Sequence, residues 1–284
     1  LLLRALLEIL PASKKLVIAL YWLSPIVLYL NYWHGQVDVA PVLLMTTSLV
    51  FIRRHKFVLA GVILGAAFAA KLSMILALPF ILIYLVRNNR FRHYAPKFLV
   101  AVGVTTGILQ GPYLFSSAVQ LMVLGTPEVG KIYELSLNLG SFEILLLPLC
   151  YMLVVLAFWQ LRRMSFGLLI SSLGLGFFLV LLLSPASPGW FLWLVPMLVM
   201  YQIQSGRTAI STTAVFSVLL VTFNVLQSEG SFIRLFRADF SDPLIDSISL
   251  VGDGQLSLLL TAVVAVGGLI AYRMARDGIR DSDV

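Results

Sequence analysis

The chain has 284 residues, of which 60% are hydrophobic and only 12% are charged, and its mean hydropathy is +0.98. These values lie far from those of soluble domains and predict a helical membrane protein. The single cysteine, Cys150, excludes an intrachain disulfide and a cysteine-rich metal site. The net charge of +7 requires no nucleic-acid partner, because basic loops that face anionic lipid account for it.

Apolar segments recur along the whole chain and predict an all-α, polytopic transmembrane helical bundle of about ten helices, a single domain over residues 1–284. The predicted helices cover residues 16–30, 39–52, 57–70, 72–86, 97–112, 143–160, 166–183, 189–203, 208–226 and 255–272. Several are shorter than the roughly 20 residues that a perpendicular span requires. Residues such as Pro25 and Gly61 also interrupt them, and interrupted helices often border a water-filled cavity.

The chain begins with Leu1 on an apolar stretch, 1–10, which is too short to span a membrane. This stretch has neither the charged start nor the small-residue cleavage site of a signal peptide. We therefore expect it to be the end of an earlier helix. On this interpretation the chain is a fragment that lacks an N-terminal helix and the first outer loop.

Charged residues divide between the two faces that ten crossings would create. Sixteen of the 20 basic residues fall on one face, and 9 of the 13 acidic residues fall on the other. The basic segments are 4–15, 53–56, 87–97, 162–163, 207 and 273–280. Cytoplasmic loops carry an excess of Lys and Arg, so the basic face is predicted to be cytoplasmic and the acid-rich face to lie outside.

Three polar side chains, His34, Gln36 and Asp38, lie at the predicted outer mouth between two helices. On a short extended segment these alternate positions would point the same way, toward a common site. The histidine could bind a phosphate or hydroxyl, the glutamine a sugar hydroxyl, and the aspartate could act as a base or metal ligand. The alternative is an ordinary turn, in which Gly35 bends the chain and Asp38 caps the next helix.

Lys71 lies between two apolar runs on the predicted acid-rich face, where Lys131, Arg234 and Arg237 are the other basic residues. An ammonium group in that place could neutralise a lipid phosphate, because it acts as a compact point charge. The alternative is a lysine that snorkels at a helix end. Its position on the acid-rich face is unfavourable to that alternative, since basic residues concentrate on the cytoplasmic side.

Two long outer connections differ in character. Residues 113–140 mix apolar residues with Glu128, Lys131 and Glu134, which predicts interfacial helices over the outer surface, with a solvated connector as the alternative. Residues 227–254 predict a solvated, charged loop. The charged residues of that loop include Arg234, Arg237, Asp239, Asp242 and Asp246.

The segment 184–193 joins two predicted helices at the outer face. Its two Ser-Pro steps predict a rigid, extended turn, because the residue before a proline avoids the helical conformation. Trp190 and Trp193 follow three residues apart, on one helical face. Their rings could stack on a sugar or pack a lipid tail, and the alternative is an aromatic belt at the membrane interface.

The segment from His34 to Pro79 resembles the polyprenyl-phosphate-sugar-dependent glycosyltransferases of GT-C type. The resemblance rests on the turn His34-Gly35-Gln36-Val37-Asp38, on the glycine-containing run from Leu59 to Lys71, and on Leu78-Pro79. It is greatest to the mannosyltransferases akin to the catalytic subunit of GPI mannosyltransferase I and their prokaryotic relatives.

Those relatives also carry a late S-P-Q-Y-x-x-W-x-x-P element, which corresponds to residues 187–196 here. This chain departs from it by Gly189 in place of Gln and Trp190 in place of Tyr. The resemblance covers roughly residues 16–86 and 184–203.

The resemblance implies that a sugar, mannose in the nearest relatives, is moved with inversion from a polyprenyl-phosphate-linked donor to a lipid-linked, glycan or protein acceptor on the outer membrane face. The implied substrate-binding residues are His34, Gln36, Asp38, Lys71, Trp190 and Trp193. Relatives carry an acidic base in the first outer loop, often in a D-x-D pair, so the base is expected upstream of residue 1, with Asp38 as a weak candidate. No cofactor is certain, and a divalent cation is an open alternative.

The implied partners are the donor lipid, membrane lipid and a further membrane protein subunit, without nucleic acid. The expected location is multi-pass in a membrane, the plasma membrane in a prokaryote, with the active site facing outward. Two other functions stay open. A transporter or flippase of lipid-linked saccharides would use the same polar residues to line a pathway, and a non-catalytic membrane subunit would use them for packing.

Overall fold

The computed structural model describes residues 1–117, 125–126, 130–227 and 253–282. Within them the fold is all-α apart from one small hairpin. The helices are α1 (Leu2–Ile9), α2 (Lys14–Trp22), α3 (Pro25–Val27), α4 (Val39–Arg53), α5 (Phe57–Ala70), α6 (Leu78–Arg87), α7 (Ala95–Gln110), α8 (Leu146–Gln160), α9 (Phe166–Leu182), α10 (Val195–Gln227) and α11 (Asp253–Ser282). A π-helix, Leu28–Trp33, continues α3, and 3-10 turns join several of the others.

Pro25 breaks the first predicted helix in two. The chain forms α2 and then a second helical piece, Pro25–Trp33, and the two pieces are bent by 51° relative to each other. Proline lacks the N–H that a helix interior requires, whereas Ser24 caps the new helix by accepting a hydrogen bond from the Val27 N–H (3.5 Å). The interruption that Pro25 was predicted to cause in the helix at 16–30 is therefore a break between two helical pieces.

A β-hairpin replaces the beginning of the helix predicted at 143–160. Strand β1 (Ser136–Leu139) pairs antiparallel with β2 (Phe142–Leu145). Gly140 opens the two-residue turn with a φ of +69°, which glycine adopts without strain. The helix begins at Leu146 instead of residue 143, because the apolar residues before it belong to a strand.

The structure describes only parts of the two long outer connections, 113–140 and 227–254. Within 113–140, the described part contains a 3-10 turn at Lys131–Tyr133 and strand β1, where interfacial helices were predicted. Residues 118–124 and 127–129, which include Glu128, lie outside the described residues. The charged loop predicted at 227–254 lies almost entirely outside them as well.

Among the described residues, two helical runs are long and apolar enough to cross a membrane. They are Pro188–Gln227 and Gly254–Arg280, whose most apolar 18-residue windows have mean hydropathies of 1.9 and 2.0. The bent pair α2 and Pro25–Trp33 makes a third if it counts as one broken span. Gly206 departs from helical geometry (φ 71°, ψ −150°), so a kink divides the first of these runs into two helices, close to those predicted at 189–203 and 208–226. Helices α4, α5, α8 and α9 are apolar but only 14 to 17 residues long.

Helices α5 and α7 pack backbone against backbone. Gly61 and Gly65 lie four residues apart on α5, and a Cβ on either would come within 2.6 Å of a carbonyl oxygen of α7, that of Phe98 or Val102. The Thr106 hydroxyl then donates to the Gly65 carbonyl (3.1 Å). Small residues at this spacing let membrane helices approach closely, so the interrupting glycines serve packing.

The basic segments of the sequence contact one another through side chains near helix ends. The pairs are Arg54 with Glu8 (3.0 Å), the His55 ring with the Phe91 ring (4.9 Å between centroids), Asn88 Nδ2 with the Met164 carbonyl (2.9 Å), and Ser205 Oγ with Asp277 (2.8 Å). The fold thus places the segments 4–15, 53–56, 87–97 and 162–163 next to one another, and residue 207 next to 273–280.

Candidate functional site

Asp38 is a buried carboxylate that joins three separate parts of the chain. It occupies the N-cap position of α4, as in the ordinary-turn alternative, but its side chain makes no hydrogen bond to the helix. Its Oδ2 instead accepts hydrogen bonds from Lys71 Nζ (2.5 Å) and from Trp193 Nε1 (3.1 Å). Asp38 is only 6% exposed, which is tolerable for a charge because both bonds compensate it.

Lys71 marks the break between α5 and the 3-10 segment Leu72–Ala77. Its backbone is extended (φ −156°, ψ 116°), so the helix ends there and the chain changes direction. The side chain is 27% exposed and forms an ion pair with Asp38. Pairing with a buried carboxylate distinguishes Lys71 from a snorkelling lysine, whose ammonium extends into water.

Trp190 and Trp193 are stacked, with ring centroids 5.1 Å apart and planes inclined by 16°. They belong to a 3-10 helix, Pro188–Leu194, that leads into α10. Three residues per turn place residues i and i+3 directly above each other, which explains the stacking. Both rings are buried, so the aromatic belt considered from the sequence does not describe them.

A lysine lies against each outer side of this stack. The Lys71 ammonium is 5.2 Å from the Trp193 ring centre, and the Lys131 ammonium is 5.8 Å from the Trp190 ring centre. Lys131 also donates to Ser187 Oγ at 3.0 Å. We call Lys71, Trp193, Trp190 and Lys131 the tryptophan column. Cation–π attraction holds the cations beside the indoles.

Sequence reasoning missed Lys131 as a member of the site. It placed this residue in a mixed outer connection, 60 positions from Lys71, and no motif links the two. The one available signal was charge, because Lys131 is one of the four basic residues on the predicted acid-rich face.

His34 and Gln36 lie beside the column and do not extend alongside Asp38 as predicted. His34 has helical backbone angles and Gly35 has a φ of +65°, so the segment turns rather than running extended. Gln36 Nε2 lies 2.6 Å from His34 Nδ1, and a Cβ on Gly189 would lie 2.3 Å from Gln36 Oε1. The glycine that departs from the family element therefore leaves room for Gln36.

A cavity of about 470 Å³ lies on one side of the column. Lys71, Trp190 and Trp193 line it together with the polar side chains of Ser73 and Gln110 and a mostly apolar remainder. His34, Gln36 and Asp38 are not among the described lining residues. The structure thus brings Lys71 and the tryptophans to a common cavity, with Asp38 behind them and with Gln36 and His34 outside it.

This arrangement can hold an anionic group at the ammonium and an apolar group beside the indoles. Within the described part of the chain, no three His, Cys, Asp or Glu side chains are grouped closely enough to hold a metal ion. Comparison of the chain with models of known protein families, with curated proteins and with solved structures gives no match.

Proposed function

We propose that this chain is a membrane glycosyltransferase that uses a polyprenyl-phosphate-linked sugar, mannose in the first instance, as its donor. The observation that supports this most is the ion-paired Lys71 at a cavity whose wall includes two stacked tryptophans. An ammonium suits the donor phosphate, and the indoles together with the apolar remainder of the wall suit the C–H groups of the sugar and the first isoprene units.

Exposed apolar faces on the short helices support a multi-pass membrane domain. On α7, Val100, Val104 and Ile108 are each more than half exposed, and on α8 the same holds for Met152 and Leu153. Soluble monomers rarely expose continuous apolar faces of this kind, whereas lipid covers them without cost. Short helices then cross with tilt or local thinning of the bilayer, and the acid-rich end is the proposed outer side.

The proposed chemistry is an inverting displacement at the anomeric carbon. The acceptor hydroxyl oxygen bonds to that carbon, its proton passes to a carboxylate base, and the bond from the carbon to the donor phosphate oxygen breaks. The electron pair stays on the departing lipid phosphate, where Lys71 stabilises the growing negative charge.

Asp38 is assigned a positioning role in this proposal, rather than that of the base. Its Oδ2 is bonded to both Lys71 and Trp193, and the side chain does not line the described cavity wall. A carboxylate in this place fixes the ammonium and one indole relative to each other. A pre-organised cation loses little entropy when the phosphate arrives, which favours transfer.

The experiment is a transfer assay on the full-length protein in nanodiscs with radiolabelled polyprenyl-phosphate mannose. The test variant carries Lys71→Met with Asp38→Asn, so that no unpaired charge is left buried, and the control is Lys56→Met at the basic end. We expect the double variant to lose roughly a hundredfold in rate, the usual effect of removing a leaving-group contact, while the control keeps its rate. A wild-type rate in the double variant contradicts the proposal.

A further inference from the structure

A second cavity, of about 760 Å³, lies on the other side of the tryptophan column. It is enclosed by the end of α9, the following turn at 183–188, the last turns of α10 and the first part of α11. Neighbouring residues in three segments face opposite cavities. Val180, Ile132 and Trp190 line the smaller cavity, and Leu181, Lys131 and Phe191 line the larger one. The two cavities therefore share one wall.

The polarity of the larger cavity changes along the helices. Gln227 and Asn224, at the C-terminal end of α10, line it together with Ser184 from the turn. One to two helical turns farther in, its wall consists of apolar side chains such as Leu220 and Val263. A polar mouth above an apolar interior matches an amphipathic molecule whose chain lies deep and whose head group lies at the mouth.

The charged side chains at the mouth of the larger cavity indicate which kind of lipid head group it could bind. Lys131 lines the cavity, and its ammonium is held in place by Ser187 and by the Trp190 ring. Glu134 lies at the same mouth and offers a carboxylate that can accept hydrogen bonds from hydroxyl groups. A fixed ammonium beside hydrogen-bonding groups suits a phosphate ester that carries hydroxyls.

We propose that the larger cavity binds a lipid with an anionic phosphate head group. This statement does not rest on the proposed glycosyltransferase function. The hydrocarbon chains lie among the apolar side chains of α9, α10 and α11, and the phosphate lies beside Lys131.

Photolabelling of the full-length protein in nanodiscs tests the site. The probe is phosphatidic acid with a diazirine in one acyl chain, and the comparison probe is diacylglycerol with the same chain. Peptide mass spectrometry locates the label. We expect phosphatidic acid to label residues 181–183, 220–224 and 260–264 roughly tenfold more than diacylglycerol does, because a charge-assisted contact distinguishes them.

Matched variants separate this cavity from its neighbour. Lys131→Ala should abolish the difference between the probes, whereas the variant with Lys71→Met and Asp38→Asn should keep it. Leu260→Trp, which fills the cavity, should block labelling, and Leu258→Trp, at a position 72% exposed on the same helix, should not. Competition by unlabelled phosphatidic acid or by farnesyl phosphate shows whether the preferred chain is a glycerolipid or an isoprenoid.

Equal labelling by the two probes, or a difference that survives Lys131→Ala, would overturn the inference. Transfer and labelling are measured separately on the same preparation. A wild type that labels as expected but transfers no sugar supports the lipid site and overturns the proposed function instead.

Discussion

Asp38 is the residue that connects the site, because its Oδ2 accepts hydrogen bonds from both Lys71 Nζ and Trp193 Nε1. The pair explains how a carboxylate that is 6% exposed can remain charged beside an indole. It also means that the donor phosphate must share the ammonium with Asp38. An ammonium has three donor hydrogens, so one can stay with Asp38 while others contact the phosphate.

This pairing predicts strong thermodynamic coupling between the two residues. Lys71→Met alone leaves the Asp38 carboxylate buried without its cation, and should lower the free energy of unfolding by up to about 3–5 kcal/mol. Adding Asp38→Asn should recover much of that loss, because no charge is then stranded. Thermal unfolding of the four proteins of this double-mutant cycle in detergent measures the coupling. Additive effects of the two substitutions would show that the ion pair does not form.

At the scale of elements, helix ends and breaks bring the functional residues together. The break at Lys71 coincides with a boundary predicted from the sequence, because apolar runs on either side of a lone lysine are visible there. The hairpin at 136–145 was missed because Ile144 and Leu145 continue directly into the apolar run of α8, and the single charged residue Glu143 does not distinguish a strand from the start of a helix. The stacking of Trp190 on Trp193 depends on 3-10 geometry, which three-residue spacing alone does not distinguish from α-helical geometry.

The α5–α7 interface makes the sharpest prediction for an element. A Cβ at Gly65 would lie 2.6 Å from the Val102 carbonyl oxygen, and backbone atoms cannot yield as a flexible side chain does. Gly65→Ala should therefore separate the helices and cost about 1–3 kcal/mol of stability. Gly103→Ala is the matched control on α7, because no atom lies within 4 Å of its Cβ position. Equal melting temperatures for the two variants would contradict the close approach.

For the molecule as a unit, composition predicts the all-α class, which the structure confirms, and charge predicts which face is cytoplasmic. They do not predict which outer residues meet. Lys71 and Asp38 are 33 positions apart, Trp193 is 155 positions from Asp38, and Lys131 reaches the column from a separate connection. These contacts follow from how the helices pack, and no local pattern encodes them. Within the described residues, helix length supports two clear membrane crossings, whereas about ten were predicted.

The orientation of the molecule is predicted by the distribution of basic residues. In a Cys150→Ala background, Asn138→Cys on strand β1 should react with a membrane-impermeant maleimide in intact cells. Asn89→Cys, exposed between α6 and α7, should react only after the membrane is opened. Both positions are exposed asparagines, so access is the variable compared. Labelling of Asn89→Cys in intact cells would place the tryptophan column on the cytoplasmic side.

Lys71 is proposed to receive the phosphate of a lipid-linked sugar beside two stacked tryptophans. The most direct measurement is a cryo-electron microscopy structure of the full-length protein with its polyprenyl-phosphate-sugar donor bound. The predicted result is a donor phosphate oxygen within about 3 Å of Lys71 Nζ, with the sugar ring against Trp190 or Trp193 in the 470 Å³ cavity. A donor phosphate bound elsewhere, with Lys71 paired to Asp38 alone, would contradict the account.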